Sequence, residues 1–301
     1  MDRIRLFVQL VRPLFLLGGF LVYALGVGMA KYLGAPVDWG IYLVGQAWVT
    51  TLQLCTHFLN EYYNSPEDAQ NPNRTPFSGG SGATGEGKIP RRNVMLFALT
   101  CLTVLASLTV LMIAQVKPDP VVWWIMGFAF LGAFFYSTPP VRLEASGYGE
   151  LTTTILVAVL VPAFSFILQY GDLHRLIPMS TFPLAFMHLA MMIAIEFPDY
   201  STDSRIGKNT LLVRMGWKNG ILVHDISILV TYLLLVLAFS FGFPRSVTLA
   251  ALLTFPFGLL QMWQMRRIAI GLKPMWTALT MNAVVSFGTL VYMLAFAFWI
   301  S

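Results

Sequence analysis

Charged residues are scarce in this sequence. They occupy 11% of its 301 positions, whereas hydrophobic residues occupy 57%. A soluble domain carries charge at roughly one position in four, and the mean hydropathy here is +0.70. So little charge excludes an ordinary soluble domain, and we predict a polytopic membrane protein.

Cysteine is also scarce. The chain has two cysteines, Cys55 and Cys101, and both lie inside apolar segments. This pattern predicts no disulfide framework. The two thiols are expected to pack as small buried hydrophobic groups.

Long apolar runs recur along the whole chain. A bilayer is spanned by roughly 20 apolar residues in a helix. The predicted spans cover residues 13–33, 39–63, 93–115, 120–137, 150–170, 179–197, 219–243, 246–265 and 276–300. We therefore predict an all-α bundle of about nine transmembrane helices that forms one domain over residues 1–301.

The basic residues are distributed unevenly between the two sides of this predicted bundle. Fifteen of the 19 Lys and Arg residues fall in the N-terminal segment and in alternate loops, and the other side keeps only Lys31, Lys117, Arg175 and Arg245. By the positive-inside rule, the N-terminus is expected in the cytoplasm. The net charge of +5 is thus a topology signal, and we predict the lipid bilayer as partner and no nucleic acid.

An acidic and basic cluster, EFPDYSTDSRIGKNTLLVRMG, follows the sixth predicted span at residues 196–216. Asp199 and Asp203 are four residues apart and share one face of a helix, with Glu196 one turn earlier. Carboxylates suit Mg²⁺, which also bridges substrate phosphates, and Lys208 can meet phosphate charge. The pattern predicts a diphosphate site at the membrane surface; the alternative is a solvated loop whose charges set the topology.

A polar stripe occupies the second predicted span. Gln53, His57, Asn60 and Asn64 are spaced by four, three and four residues, and Glu61 lies beside them. Such a stripe within a bilayer faces the bundle interior or a water-filled cavity. Asn60 and Glu61 are the candidates for function, whereas His57 is expected to make an interhelical hydrogen bond.

The longest connection, residues 65–92, is rich in glycine and includes GGSGATGEG. It lacks the flanking elements and the spacing of a nucleotide-binding loop. A flexible linker is the default expectation, and the alternative is a mobile lid over the site.

The loop after the fourth span, YSTPPVRLEASGYGEL at residues 136–151, contains Pro139 and Pro140, which exclude a continuous helix. Tyr136 and Arg142 could orient a phosphate or an acceptor, or could serve as interfacial anchors. The same two alternatives apply to Arg12, which precedes the first span.

The strings LNEYYNSPED and EFPDYSTDSRIGKNTLLVRMG resemble the first and second aspartate-rich motifs of the UbiA superfamily of intramembrane prenyltransferases. The resemblance extends over nearly the whole chain, because the motifs follow the second and sixth spans and a Tyr, Pro and Arg element follows the fourth. Within the superfamily, NEYYN and GKNTLLVRMG are most similar to the menaquinone branch, which prenylates 1,4-dihydroxy-2-naphthoate.

The first motif departs from the superfamily pattern N-D-x-x-D-x-x-x-D. Here its positions are occupied by Asn60, Glu61, Asn64 and Asp68. Glu61 replaces one Asp with a longer side chain and Asn64 replaces another with a neutral one, which leaves fewer negative charges to bind Mg²⁺. On this basis the substitution Asn64→Asp is expected to preserve activity or to raise it at low Mg²⁺.

The resemblance implies Mg²⁺-dependent transfer of a polyprenyl group from a prenyl diphosphate to an aromatic acceptor. The implied metal ligands are Asn60, Glu61, Asn64, Asp68, Asp199 and Asp203. The implied diphosphate contacts are Asn60, Arg74, Arg142, Lys208 and Arg12. Tyr136 is expected near the reacting carbon or the leaving group and, with Asp68, Asp199 and Asp203, forms the implied catalytic set. The site is expected on loops 65–92 and 198–217, facing the cytoplasm at a prokaryotic inner membrane.

Two other functions remain open at this stage. The same fold could use another acceptor, such as 4-hydroxybenzoate, homogentisate or a chlorophyll precursor, or could cyclise the prenyl chain. A secondary transporter or channel could also place carboxylates and a histidine along an ion path. Transporter sites usually lie near the bilayer midplane, whereas these carboxylates cluster at one face. The sequence carries no signal for an oligomeric state.

Overall fold

The computed structural model describes residues 3–301, and its regular structure within that range is helical. The helices are α1 Arg3–Val11, α2 Pro13–Tyr32, α3 Trp39–Asp68, α4 Arg91–Leu111, α5 Pro120–Phe135, α6 Gly149–Thr154, α7 Val161–Tyr170, α8 Leu176–Glu196, α9 Tyr200–Ile206, α10 Leu211–Met215, α11 Trp217–Ser240, α12 Arg245–Leu252, α13 Phe255–Ala269 and α14 Trp276–Ile300. A π-helical turn at Met112–Val116 extends α4, and another at Ile155–Leu160 joins α6 to α7.

Seven helical segments of the described chain are long and apolar enough to cross a membrane. They are Arg3–Tyr32, Arg91–Val116, Gly149–Tyr170, Leu176–Glu196, Trp217–Ser240, Arg245–Ala269 and Trp276–Ile300. The nine predicted spans correspond to these seven together with α5, which has 16 residues, and α3, which has 30 residues and a polar C-terminal half. The predicted all-α, multi-pass membrane bundle is confirmed.

The interior of the bundle is built around α2, α8 and α14. Helix α2 packs against α7 and α14, α8 packs against α11 and α14, and α3 lies along α4. Large apolar side chains also cover the outside: Trp124 and Phe128 on α5 are 69% and 61% exposed. In a bilayer such side chains face the lipid tails, which are similarly apolar.

A glycine allows α2 and α7 to approach each other closely. A Cβ added to Gly26 would lie 2.2 Å from the carbonyl oxygen of Pro162 and 2.0 Å from Oγ of Ser165. The Ser165 hydroxyl donates to the carbonyl of Tyr23 at 2.8 Å. Small residues commonly provide such close interfaces between membrane helices, and these two helices form one wall of the cavity described below.

Prolines end the two helices that lead into the site. Helix α5 ends at Phe135, before the Pro139–Pro140 pair, and α8 ends at Glu196, two residues before Pro198. Proline lacks the backbone N–H that a continuing helix needs. The break after α5 agrees with the sequence prediction, and both breaks place polar loop residues at the same end of the bundle.

Candidate active site

A cavity of about 270 Å³ lies within the bundle and combines a polar end with an apolar end. Of the predicted site residues, those lining it are Arg12, Asn60, Asn64, Asp68, Tyr136, Asp199, Asp203 and Lys208. The two acidic clusters therefore meet at one cavity, although more than a hundred residues separate them in the sequence.

The second acidic cluster is shaped by the break after α8. The backbone N–H of Asp199 donates to the carbonyl of Glu196 at 2.9 Å, and that of Asp203 donates to the carbonyl of Asp199 at 2.9 Å. These turns keep the three carboxylates on one side of the chain, as their spacing predicted. All three line the cavity.

Carboxylates crowd the polar end. Burial, together with the neighbouring charges of Asp203 and Asp68, raises the pKa of Asp199 to about 7. Burial outweighs the opposing effect of the nearby Lys208 and raises the pKa of Asp203 to about 6. Confining negative charges in one partly buried space is unfavourable, so a bound cation would stabilise this end of the cavity.

The arrangement fits a metal site that a substrate completes. Among residues 3–301, no three His, Cys, Asp or Glu side chains converge closely enough to hold a metal ion by themselves. Mg²⁺ is usually held by one or two carboxylates, with water and substrate phosphates as the other ligands. The carboxylates of Asp68, Asp199 and Asp203 and the amide of Asn60 supply such hard oxygen donors at the cavity wall.

Lys208 provides positive charge beside these carboxylates. Its Nζ lies 3.9 Å from Oε2 of Glu144, and its side chain is 15% exposed. Burial lowers the pKa of Lys208, but Glu144, Asp203 and Asp68 more than offset this and raise the pKa above its usual value. The ammonium group is thus charged and held at the cavity wall, where an anionic ligand can meet it.

Glu144 is a site residue that the sequence analysis did not single out. It lies in a short 3₁₀ turn, Leu143–Ala145, and is 5% exposed. Its carboxylate accepts hydrogen bonds from the side-chain amides of Asn60, at 3.1 Å, and Asn64. The only sequence signal for a role of Glu144 was its position two residues after Arg142. Its hydrogen-bond partners Asn60 and Asn64 lie on α3, which is distant in the sequence.

Glu61, a predicted metal ligand, is hydrogen-bonded to the glycine-rich loop in this structure. Its Oε1 accepts from the hydroxyl of Thr84 at 2.8 Å, and its Oε2 accepts from the backbone N–H of Ser81 at 3.0 Å. Arg12 also lies 3.5 Å from Oε2. The carboxylate is 1% exposed and lies outside the cavity lining, so it fixes the glycine-rich loop to α3.

Arg74 and Arg142 also lie outside the cavity lining. Arg74 is exposed and its Nε donates to the carbonyl of Gly80 at 3.3 Å. Arg142 reaches Glu67 at 3.2 Å and Oδ1 of Asn64 at 3.3 Å. These arginines support the residues around the cavity. Arg142 does so from a left-handed backbone conformation, with φ 43°, that is uncommon outside glycine.

The loop 65–92, expected to be a flexible linker or a mobile lid, is packed into the site. Phe77 is buried and its ring meets that of Phe15 with centroids 5.9 Å apart. Asp199 accepts hydrogen bonds from the side chain of Asn71 and from the backbone N–H of Gly79, the latter at 3.2 Å. The loop thereby joins the first acidic cluster to the second.

Two further contacts shape this loop. The hydroxyl of Thr280 on α14 donates to that of Thr75 at 3.2 Å, which ties the loop to the last helix. Gly80 has φ +72°, and an added Cβ would lie 2.4 Å from Oδ2 of Asp68. Only glycine adopts this conformation readily, so the sequence GGSG allows the loop backbone to pass directly over the Asp68 carboxylate.

The rest of the cavity is apolar. Phe15, Trp48 and Phe164 line it among aliphatic side chains from α2, α3, α5, α7 and α8. His57 also lines it, and its Nδ1 is 3.0 Å from the carbonyl of Val11, which agrees with the predicted interhelical bond. The cavity can therefore accept a molecule with an anionic head and a long hydrocarbon tail.

Comparison with known proteins places the chain in a family. The UbiA prenyltransferase family matches residues 20–270, which is most of the sequence. This chain belongs to the UbiA prenyltransferase family. The resemblance of the two acidic motifs is thus confirmed. The chain is a membrane prenyltransferase, and the transporter or channel alternative is set aside.

Individual relatives of this UbiA family member are distant. The 1,4-dihydroxy-2-naphthoate octaprenyltransferase of Bacillus subtilis (strain 168) is 23% identical over 231 residues, covering 76% of this chain and 71% of the relative. A solved UbiA homologue from Archaeoglobus fulgidus has a TM-score of 0.67 at 16% identity, covering 98% and 100% of the two chains. A structure of a homologue from the same organism, bound to DMAPP and Mg²⁺, has a TM-score of 0.64 at 17% identity, covering 95% and 98%. The structural likenesses show that the fold is shared.

Proposed function

We propose that this UbiA family member transfers a polyprenyl group from a prenyl diphosphate to 1,4-dihydroxy-2-naphthoate in an Mg²⁺-dependent reaction. The observation that carries the proposal is the single cavity with carboxylates and Lys208 at one end and apolar side chains along the rest. A prenyl diphosphate has the same division between an anionic head and a hydrocarbon tail.

The polar end would bind the diphosphate. Asp68, Asp199 and Asp203, with the amide oxygen of Asn60, are the groups assigned to Mg²⁺. When bound, the ion would neutralise the diphosphate charge as the bond between carbon and oxygen breaks. Lys208 meets the remaining oxygens directly, and its ammonium group stabilises charge that grows on the leaving group.

The apolar end would protect the allylic cation formed when diphosphate leaves. Phe15, Trp48 and Phe164 exclude water, which would otherwise capture the cation, and aromatic faces stabilise positive charge. Tyr136 lines the same cavity and is assigned a place beside the reacting carbon or the leaving group. The acceptor ring then forms the new carbon–carbon bond with the cation. It regains aromaticity by releasing CO₂ if that carbon carried the carboxylate, or H⁺ if it did not, and the displaced diphosphate is the other product.

Two parts of this proposal have support of other kinds. The acceptor is suggested by the Bacillus subtilis relative, which is named for 1,4-dihydroxy-2-naphthoate. The solved homologue bound to DMAPP and Mg²⁺ supports the donor class and the ion. We place the polar end in the cytoplasm, at the inner membrane of a prokaryotic cell, because most Lys and Arg residues lie on that side.

The test uses the purified full-length protein in lipid nanodiscs. It is supplied with a labelled prenyl diphosphate, a panel of aromatic acceptors, and either Mg²⁺ or EDTA. We expect a prenylated naphthoate product only when Mg²⁺ is present. Product from another acceptor alone would overturn the acceptor assignment, and equal turnover in EDTA would overturn the assigned role of the ion.

A further inference from the structure

A single buried carboxylate organises the neutral residues at the polar end of the cavity. Oε2 of Glu144 accepts from Nδ2 of Asn60 at 3.1 Å and from Nδ2 of Asn64. Its Oε1 lies 3.5 Å from Arg142, and its Oε2 lies 3.9 Å from Lys208. Two amides and two cations of the site thus share one anionic partner.

The chemistry of Glu144 fixes the orientation of both amides. An ionised carboxylate only accepts hydrogen bonds, whereas a side-chain amide has a donating NH₂ and an accepting oxygen. The NH₂ groups of Asn60 and Asn64 must therefore face Glu144. Oδ1 of Asn64 accepts from Arg142 at 3.3 Å, and within residues 3–301 no hydrogen bond reaches Oδ1 of Asn60. That oxygen is left for a ligand in the cavity.

The same geometry explains why residue 64 is neutral. An Asp at this position would place a second carboxylate against Glu144 in a buried space, where like charges repel strongly. The negative charge at this point of the site is carried by residue 144. A carboxylate at either position, but not at both, fits the observed contacts.

We infer that Glu144 is the positioning residue for this half of the site: it supplies the negative charge that Asn64 lacks and holds the Asn60 amide oxygen toward the bound ion and diphosphate. The inference rests on the proposed function. It concerns a residue from the loop after α5, outside both acidic clusters.

The test moves the charge from one residue to the other. The variants are Glu144→Gln, Asn64→Asp, and the double variant that carries both, in which the amide and the carboxylate exchange places. The exposed Glu86→Gln is the matched control, because it makes the same chemical change in loop 65–92 away from the cavity. Binding of Mn²⁺ is titrated by EPR in the presence of inorganic diphosphate, and thermal unfolding is followed in parallel.

Each single variant is expected to weaken Mn²⁺ binding by about 10- to 100-fold, the usual effect of removing a group that orients metal ligands. The double variant is expected to recover most of that affinity, and Glu86→Gln to match the wild type. In steady-state assays, Glu144→Gln should raise the Mg²⁺ concentration for half-maximal rate. If Glu144→Gln does not fold, comparing Mn²⁺ binding by Asn64→Asp with that by the double variant tests the inference instead.

Unchanged Mn²⁺ affinity in Glu144→Gln, with or without lower thermal stability, would overturn the inference. So would a double variant that binds Mn²⁺ no better than Asn64→Asp. Failure of the wild-type protein itself to bind Mn²⁺ with diphosphate would instead overturn the proposed function, so the two failures are distinguishable.

Discussion

Replacing Gly80 with alanine tests whether the loop backbone sets the position of the Asp68 carboxylate. The new Cβ would lie 2.4 Å from Oδ2 of Asp68 and 2.9 Å from its Cβ. Ordinary contacts begin at 3.4 Å, so the loop and Asp68 must separate by 1.0 Å, the difference between 3.4 and 2.4. The near contact with the Asp68 Cβ means that rotating the carboxylate alone does not relieve the clash.

The substitution is expected to affect both stability and catalysis. The same substitution at a second glycine separates the two effects. Left-handed backbone costs a residue with a side chain about 1 to 2 kcal/mol. Gly87 has φ +70°, close to the +72° of Gly80, but a Cβ there meets nothing within 4 Å. Gly87→Ala should therefore show the backbone cost alone, as a lower unfolding temperature with nearly normal turnover.

Gly80→Ala should lower stability by at least as much as Gly87→Ala, because the clash with Asp68 adds to the backbone cost, and it should also reduce catalysis. Displacing a catalytic group by about 1 Å can reduce the rate by about 100-fold, which corresponds to about 2.7 kcal/mol of activation free energy. The assay is the initial rate of labelled prenyl transfer by each purified variant in nanodiscs at saturating Mg²⁺. Equal turnover in Gly80→Ala and Gly87→Ala would refute the reasoning.

Three further predictions concern the carboxylates and the ion. Asp199→Asn and Asp203→Asn should each lower kcat/KM by at least about 100-fold without lowering the unfolding temperature, because each removes one of the crowded carboxylates; normal turnover would exclude either residue from the diphosphate site. Glu61→Gln should weaken the attachment of Ser81 and Thr84 by about 1.5 to 3 kcal/mol, and faster amide hydrogen exchange confined to that loop would show it; unchanged exchange would contradict the role given to Glu61. Treatment with EDTA should stop transfer and added Mg²⁺ should restore it, whereas lasting inactivation would show that chelation had damaged the fold.

The apolar helices could be predicted from the sequence because their positions depend on local properties. Apolar length and the positions of Pro139 and Pro198 determine where helices begin and end. The spacing of Asp199 and Asp203 likewise predicted that they share one side of the chain. Each of these signals lies within a few residues of the structure it determines.

Contacts between distant segments could not be predicted in this way. Glu144 accepts a hydrogen bond from Asn64, which lies 80 positions earlier in the sequence. No local pattern near either residue predicts this contact. This contact reverses the sequence-based expectation for Asn64→Asp, since a substitution that restores a family-like carboxylate would add a second negative charge beside Glu144. The expected effect of Asn64→Asp on activity therefore changes from neutral or favourable to a loss.

The glycine-rich loop illustrates a second limit. Its composition is typical of a flexible linker, yet Phe77 is buried and Gly79 donates to Asp199. The positive φ angle of Gly80 lets the backbone pass close to Asp68, and composition alone does not distinguish that use of glycine from flexibility. Phe77, a large aromatic side chain within a polar loop, was the one local sign of packing.

The hydrogen bond between Thr75 and Thr280 joins the glycine-rich loop to the last helix, α14. Premature termination before α14 would therefore remove more than a lipid-facing segment, because α14 also packs against α2 and α8. A truncated chain would lose a helix of the bundle interior together with one support of the glycine-rich loop, so a failure to fold is expected before any selective loss of donor binding.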